Sequence, residues 1–430
     1  MKTDFSLAQL ADPKFASSND ILRKCVHCGF CTATCPTYTE LGDERDSPRG
    51  RIYMIQQMLE SEQPAPAETV THIDRCLSCF SCMTTCPSGV DYMHLVDHAR
   101  QYIDETYERP VMDRVLRAIL GVILPRPTLF RLALVGATLA RPFRGVFSGR
   151  LRAMLEMAPR ALPGRSALDE LPLHSAAGNV AGKRVILMTG CAQKVLSPDI
   201  NDATIRLLTR HNVDVVIPPS AGCCGALPLH MGQEEPALML ARKNILAWHA
   251  EIEAGRLDAI LINTSGCGTT VKDYGHMFER DPEMSEKAVA VSRLAKDITE
   301  FLTDIDLKVM DAGAELRVAY HSACSLQHGQ KVTDPPKNLL KKAGFDVQSI
   351  PEAHICCGSA GTYNLLQPEL ASRLRTRKAA NIASTSPDLV AAGNIGCIAQ
   401  IGSEMDVPVV HTVQLLDWAT GGPKPAELSD

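Results

Sequence analysis

Two dense cysteine runs constrain this chain more than any other feature: CVHCGFCTATCP at 25–36 and CLSCFSCMTTCP at 76–87. Both have the spacing C-x2-C-x2-C-x3-C-P, through Cys25, Cys28, Cys31, Cys35 and Pro36, and through Cys76, Cys79, Cys82, Cys86 and Pro87. A cubane [4Fe–4S] cluster needs four thiolates converging on one point. Three at this spacing wrap a loop around three irons, and the fourth lies just beyond and faces a second cluster. In two-run proteins the fourth cysteine of each run therefore completes the other cluster. The expectation is one cluster on Cys25, Cys28, Cys31 and Cys86, and another on Cys76, Cys79, Cys82 and Cys35. The competing readings are a pair of zinc sites or unligated core cysteines. Four-cysteine zinc sites usually show two C-x2-C pairs across a long gap, and core cysteines show no such regularity. His27, inside the first loop, is expected to be a surface or packing residue, since the cysteines suffice. Neither run reads C-x-x-C-H, so covalent haem is not indicated.

The rest of the chain divides around this feature. Residues 1–108 hold eight cysteines, 109–180 hold none, and 181–430 hold the other eight. The expected units are a helical ferredoxin-type domain at 1–108, a basic connecting segment at 109–180, and two α/β units at 181–310 and 311–430. In the first unit, 49–62 and 90–105 have helical spacing of apolar residues. The net charge of −5 argues against nucleic acid as a partner. The opening stretch MKTDFSLAQLADPKF has no apolar core of signal-peptide type, so a cytoplasmic setting with reduced thiols is expected.

Residues 181–430 read as α/β. The runs at 183–190, 213–219, 258–264, 316–322, 345–351 and 388–394 are short, apolar and rich in β-branched residues, with helical patterns such as 199–211 and 335–344 between them. Strands alternating with helices favour a parallel sheet. The region also repeats: Cys191 is followed after thirty-one residues by Cys223-Cys224-Gly225, then by Cys267; Cys324 is followed after thirty-one by Cys356-Cys357-Gly358, then by Cys397. Arg242-Lys243 is expected to correspond to Arg377-Lys378 in this duplication. Ligands gather at the carboxyl ends of parallel strands. The cysteines therefore permit one four-thiolate site per repeat: Cys191, Cys223, Cys224 and Cys267, and Cys324, Cys356, Cys357 and Cys397. The other reading is that they are fold residues left from a metal-binding ancestor. His321 and His328 flank Cys324 and His354 precedes Cys356; structural histidines are expected at all three.

The CCG pattern resembles the cysteine-rich domain of heterodisulfide reductase, of the anaerobic glycerol-3-phosphate dehydrogenase and of the lactate-utilisation iron–sulfur proteins. The full order, a two-cluster ferredoxin followed by two CCG units, resembles the family of glycolate oxidase iron–sulfur subunits. Residues 25–55, 320–330 and 355–371 carry that likeness. It implies electron transfer within a complex that oxidises glycolate to glyoxylate, with FAD on a partner flavoprotein and a quinone-like acceptor. The same architecture serves D-lactate and glycerol 3-phosphate. One departure stands out. In heterodisulfide reductase the unit closes in C-x-x-C, whereas Thr264 and Asn394 stand at the first of those positions here. That weighs against a noncubane cluster and against a self-contained disulfide reductase.

Residues 109–165 contain eleven Arg, no Lys and only two acids, Asp113 and Glu156, with apolar residues interleaved. Two readings of this pattern stand open: a basic amphipathic helix that can lie on a membrane surface, at the cytoplasmic face of an inner membrane, or a helical hairpin docked on the CCG units or a partner. The apolar stretches around 115–124 and 132–140 are too short to span a bilayer. No G-x-G-x-x-G follows a strand, no P-loop occurs and no catalytic triad is evident, so catalytic residues are not expected on this chain.

Overall fold

The computed structural model describes residues 1–159, 161–177, 182–310 and 315–428. The first hundred residues are helical: Leu7–Ala11, Pro13–Lys24, Pro36–Leu41, Pro48–Glu60, Ala67–Asp74, Ser81–Thr85 and Tyr92–Thr106. Proline opens three of these helices, where its fixed φ is favourable and its missing N–H costs nothing. Ser47 and Asp91 cap Pro48–Glu60 and Tyr92–Thr106, accepting from Gly50 N–H and His94 N–H. Ile21, Leu22, Ile52, Ile55, Leu59, Leu95 and Ile103 form their shared core.

Nine strands follow among the described residues: β1 Leu173–His174, β2 Lys183–Met188, β3 Val213–Val216, β4 Ala259–Ile262, β5 Ala295–Asp297, β6 Arg317–His321, β7 Asp346–Gln348, β8 Leu389–Ala392 and β9 Val409–His411. They make two sheets, ordered β1-β3-β2-β4-β5 and β7-β6-β8-β9, parallel throughout except for β1. Without β1 the two orders are identical, which is the duplication expressed as topology. The six expected strands are present; β1, β5 and β9 were not anticipated, because two or three residues carry no readable period. Successive side chains alternate faces. Val185 and Leu187 of β2 and Val318 and Tyr320 of β6 enter one core common to both sheets, while Ile186 and Ala319 face outward into separate clusters under covering helices. Burial on both faces is why these strands read as continuous apolar runs.

The middle segment forms helices Val111–Ile123, Pro127–Ala140 and Gly149–Met157. Leu120 and Leu124 pack on Met231 and Leu366, so the hairpin is docked on both CCG units. Its outer face remains apolar and exposed. The helical unit is tied to the sheets by Lys14–Glu234, by Arg377–Glu40 and by His94, whose Nε2 lies 2.9 Å from Asp273. Burial alone would keep His94 neutral; hydrogen bonds to Asp273 and Asp91 outweigh it and push its pKa up to about 10.

The third residue of each CCG explains why glycine stands there. Gly225 (φ +91°) and Gly358 (φ +86°) are left-handed, and an added Cβ would sit 2.7 Å from Ala237 O and 2.5 Å from Ala371 O. Gly358→Ala should lower unfolding stability by about 3 kcal/mol, from backbone strain plus overpacking. Gly42→Ala, left-handed but with open space around it, should cost only about 1 kcal/mol. Denaturant unfolding of both variants measures the contrast; equal losses would mean that the Ala371 contact is soft.

Candidate metal centres

Cys25 ends the helix Pro13–Lys24, and the chain then curls through His27 (φ +54°) and Gly29 (φ +84°). The second run curls at the equivalent positions, Ser78 (φ +47°) and Phe80 (φ +58°). Left-handed residues at the second and fourth places after the leading cysteine bend each loop tightly. As a result Cys25, Cys28 and Cys31 line one cavity, and Cys82, Cys86 and Pro87 of the other run line it too. Cys35 is correspondingly drawn to the second loop. Burial raises the Cys82 thiol pKa well above its ordinary value, and Cys79, Cys76 and Cys35 raise it further by proximity. Cys31 is pushed up to about 11, again chiefly by burial. Thiols crowded and desolvated in this way ionise readily only when a cation replaces their protons.

Donors surround the sulfurs. Val90 N–H lies 3.5 Å from Cys86 Sγ and Tyr92 O–H 3.7 Å from Cys76 Sγ. Such bonds tune the potential of a bound cluster. Arg51, 1% exposed, places Nη1 3.9 Å from Cys35 Sγ and is itself held by Asp46, Thr37 and the His72 carbonyl. The first set has an exposed member, Cys28; the second lies inside, with Cys76, Cys82 and Cys35 buried. His27 is half-buried; its Nε2 has no partner, and burial lowers its pKa.

In the sheets, every cysteine of the second set lies beyond the carboxyl end of a parallel strand. Cys191 follows β2, Cys223-Cys224 follow β3, and Cys267 is in the helix Ser265–Lys272 after β4. Cys324 follows β6, Cys356-Cys357 follow β7, and Cys397 is in Ile395–Gly402 after β8. The thiols of each repeat converge. A hydrogen bond to Cys223, then burial, holds Cys191 protonated, and Cys224 shares bonds with Cys223 and Cys267. Cys324 is held protonated by its bond to Cys356, then by burial, and Cys357 bonds Cys356 and Cys397. The two sets also differ in distance from the ferredoxin unit: Cys324 and Cys356 share an apolar cluster with Leu77 and Cys79.

The repeats are not chemically equal, and the structure corrects the expected pairing of Arg242-Lys243 with Arg377-Lys378. Ala237 packs under Gly225 as Ala371 packs under Gly358, twelve residues on in one repeat and thirteen in the other. Lys378 therefore answers to Asn244, not Lys243. Both are fully buried. Asn244 bonds Cys223 O, Tyr274 Oη and Gly222 N–H, giving the first site a neutral lining. Lys378 bonds Glu352 O beside Cys324, Cys356 and Cys357, giving the second site a buried cation. His321 also departs from expectation. It is 1% exposed, its Nε2 lacks a partner, and it offers a ring nitrogen within 4.8 Å of the Cys357 and Cys397 sulfurs. The same place in the first repeat is Met188. His328 is a satisfied structural histidine, bonded to Thr84 Oγ1 at 2.8 Å. His354, next to it, accepts through its carbonyl. Asn394, at the position of the missing fifth cysteine, donates to Cys397 Sγ at 3.3 Å, and Thr264 donates to Gln193.

Comparison with known proteins agrees with this layout. A family described as a 4Fe-4S dicluster domain matches residues 21–90, and one described as a cysteine-rich domain, CCG, matches 185–272 and again 318–402. The chain is similar to the glycolate oxidase iron-sulfur subunit of Escherichia coli (strain K12), at 41% identity over 97% of this chain and 99% of that protein. It is similar to the probable glycolate oxidase iron-sulfur subunit of Bacillus subtilis (strain 168), at 32% identity over 93% and 94% of the two chains. Lactate utilization protein A of Oceanobacillus iheyensis is 29% identical over 54% of this chain and 96% of its own length.

The crossing arrangement makes a sharp prediction. Cys86→Ser should reduce the iron bound through the first loop and leave the second, so anaerobic iron analysis should lose about four irons per chain. Cys35→Ser should take the complementary four, and the two losses should have distinct EPR signatures. Loss of the same signal in both variants would mean that the fourth cysteines do not cross.

Proposed function

The chain belongs to the family of glycolate oxidase iron–sulfur subunits, and on that premise we propose that it is the electron-transfer subunit of a flavin-dependent complex oxidising glycolate to glyoxylate. Substrate and FAD are held by partner flavoprotein subunits, because a two-electron oxidation needs such a group and this sequence carries no dinucleotide fingerprint. Cys25, Cys28, Cys31 and Cys86 hold one [4Fe–4S] cluster; Cys76, Cys79, Cys82 and Cys35 hold the other. When bound, these clusters supply one-electron carriers between the flavin and a quinone acceptor. The single observation that carries this reading is that the two runs meet at one cavity, Cys82 and Cys86 of the second lining it beside Cys25, Cys28 and Cys31 of the first, fifty-five residues separating Cys86 from Cys31.

The chain's own residues support the polarity of this role. Cys28 is exposed and stands near exposed Val26 and Phe30, which suits docking of a partner over the first site. Arg51 compensates the buried second site. The thiol sets of the CCG units, 181–310 and 311–430, are assigned as further metal or iron–sulfur centres, the second with Lys378 as its counter-charge.

The connecting segment, 109–180, is assigned to an anionic lipid surface at the cytoplasmic face. Among the described residues no helix is long and apolar enough to cross a membrane. Among the described residues, thirteen of the twenty-three large apolar side chains left exposed fall between 111 and 151, interleaved with exposed Arg114, Arg126 and Arg144. Apolar area plus arginine suits a peripheral contact.

Purified anaerobically from its host, the tagged chain should bring flavoprotein subunits with it and reduce a dye with glycolate in preference to D-lactate or glycerol 3-phosphate. A chain that emerges alone, flavin-free and reduces disulfides would instead be a thiol reductase acting through the CCG units. The complex should also sediment with anionic vesicles and be released by salt. Arg114→Glu with Arg126→Glu should weaken that binding by tenfold or more, at about 1 kcal/mol per arginine near the surface. Salt-insensitive binding, unchanged in the double variant, would assign the hairpin to a protein partner.

A further inference from the structure

The four thiols of the second repeat do not share one environment. Cys324 and Cys356 pack with Leu77 and Cys79 of the ferredoxin loop, whereas Cys357 and Cys397 pack among Ala319, Leu326, Val390 and Ile401. The strand β6 adds a third donor to the second pair. Side chains alternate along a strand, so His321 faces the same way as Ala319, away from Val318 and Tyr320 in the common core. A ring nitrogen of His321 and the Cys357 and Cys397 sulfurs all lie within 4.8 Å of one another, and all three residues are buried. Sheet order accounts for the meeting. β6 lies between β7 and β8, so its carboxyl end stands between the loop that carries Cys357 and the helix that carries Cys397.

His321 is 1% exposed and its Nε2 has no hydrogen-bond partner. A buried ring nitrogen left unpaired in this way calls for a ligand. The sulfur side is prepared as well. Cys397 is in the first turn of Ile395–Gly402, where the helix N-terminus favours a thiolate, and Asn394 donates to its Sγ at 3.3 Å. Donors this close suit one ion rather than a cluster. Around a tetrahedral zinc, bonds of about 2.3 Å to sulfur and about 2.1 Å to nitrogen put the donors about 3.5–3.8 Å apart. An iron–sulfur cluster instead spreads its thiolates over separate irons. Thiolate with imidazole is a donor set that suits zinc. With Cys356 counted in, whose thiol bonds that of Cys357, three thiolates around a dication leave one negative charge, and the buried amine of Lys378 beside them offsets it. The first repeat lacks the nitrogen donor: Met188 stands where His321 does, and packs in an apolar cluster with Cys224.

We propose that His321, Cys357 and Cys397 bind a single zinc ion, so that the second repeat carries a mixed nitrogen–sulfur centre that the first cannot form. The inference rests on the reading of these thiols as a metal centre; it names the ion and adds a ligand from outside the cysteine motif. Zinc has no redox chemistry. The centre therefore braces the loops after β6, β7 and β8 where the ferredoxin loop packs on them, and lies off the electron path.

The test is metal analysis and zinc X-ray absorption on the complex purified anaerobically. The wild type should hold about one zinc per chain, with nitrogen as well as sulfur among its nearest scatterers. His321→Ala should lower zinc retention about tenfold or more. Its iron content and the co-purifying flavoprotein, both unchanged, control for folding. His321→Cys should restore the ion with sulfur scatterers alone, a rescue that a packing role would not produce. Two results would overturn the assignment: a wild type without zinc, or zinc retained in His321→Ala with an unaltered absorption spectrum. Either leaves the electron-transfer reading standing while glycolate still reduces the dye. Loss of glycolate-dependent reduction in the wild type would sink that reading, and the absorption spectrum would still decide the zinc site.

Discussion

Thiols gathered in fours repel one another once ionised, and everything else in this fold answers to that constraint. A desolvated sulfur keeps its proton unless a cation takes its place. The chain therefore brings its cysteines together on short, tightly bent loops and at strand ends, where backbone N–H groups are available. It adds buried cations where burial is deepest. Arg51 beside Cys35 and Lys378 beside Cys324 are both removed from solvent, a placement that a charged side chain tolerates only next to compensating charge. The partly exposed set around Cys28 has no such residue fully buried beside it, and water screens it instead.

Duplication supplied two thiol sites of one architecture, and divergence has made them chemically different. The lining around Cys223 is neutral, through Asn244 and Tyr274. The lining around Cys356 is cationic, with the unpartnered His321 behind it. The second site is also the one that shares packing with Cys79 of the ferredoxin loop. A pair of sites inherited as equals thus presents one electrostatically quiet centre and one suited to higher negative charge.

The hairpin has two faces with different duties. Its inner face closes over the junction of the repeats through Leu120 and Leu124. Arg109 and Arg117 on that side are consumed by Asp74 and Asp113. Among the described residues, its outer face keeps exposed Arg114, Arg126 and Arg144 and thirteen of the twenty-three exposed large apolar side chains. Arginines read together as one basic segment therefore divide, Arg109 and Arg117 being structural and Arg114, Arg126 and Arg144 exposed.

Much of this was legible in the residues themselves. Spacing alone singled out the two N-terminal runs, because thiolate geometry around a cubane tolerates few alternatives. Continuous β-branched runs announced six strands, since strands buried on both faces admit no polar alternation. Equal thirty-one-residue gaps announced the duplication. The short strands β1, β5 and β9 were silent because two or three residues hold no period. Only the tertiary structure decided that Lys378 answers to Asn244, because a one-residue difference in helix entry shifts the register without altering the motif. It alone separated His321 from His328, since whether a ring nitrogen finds a partner depends on Thr84, hundreds of residues away. And it alone brought the His321 ring to the Cys357 and Cys397 sulfurs, because the sheet sets β6 between β7 and β8 and the contact between their loops is made in space, not along the chain.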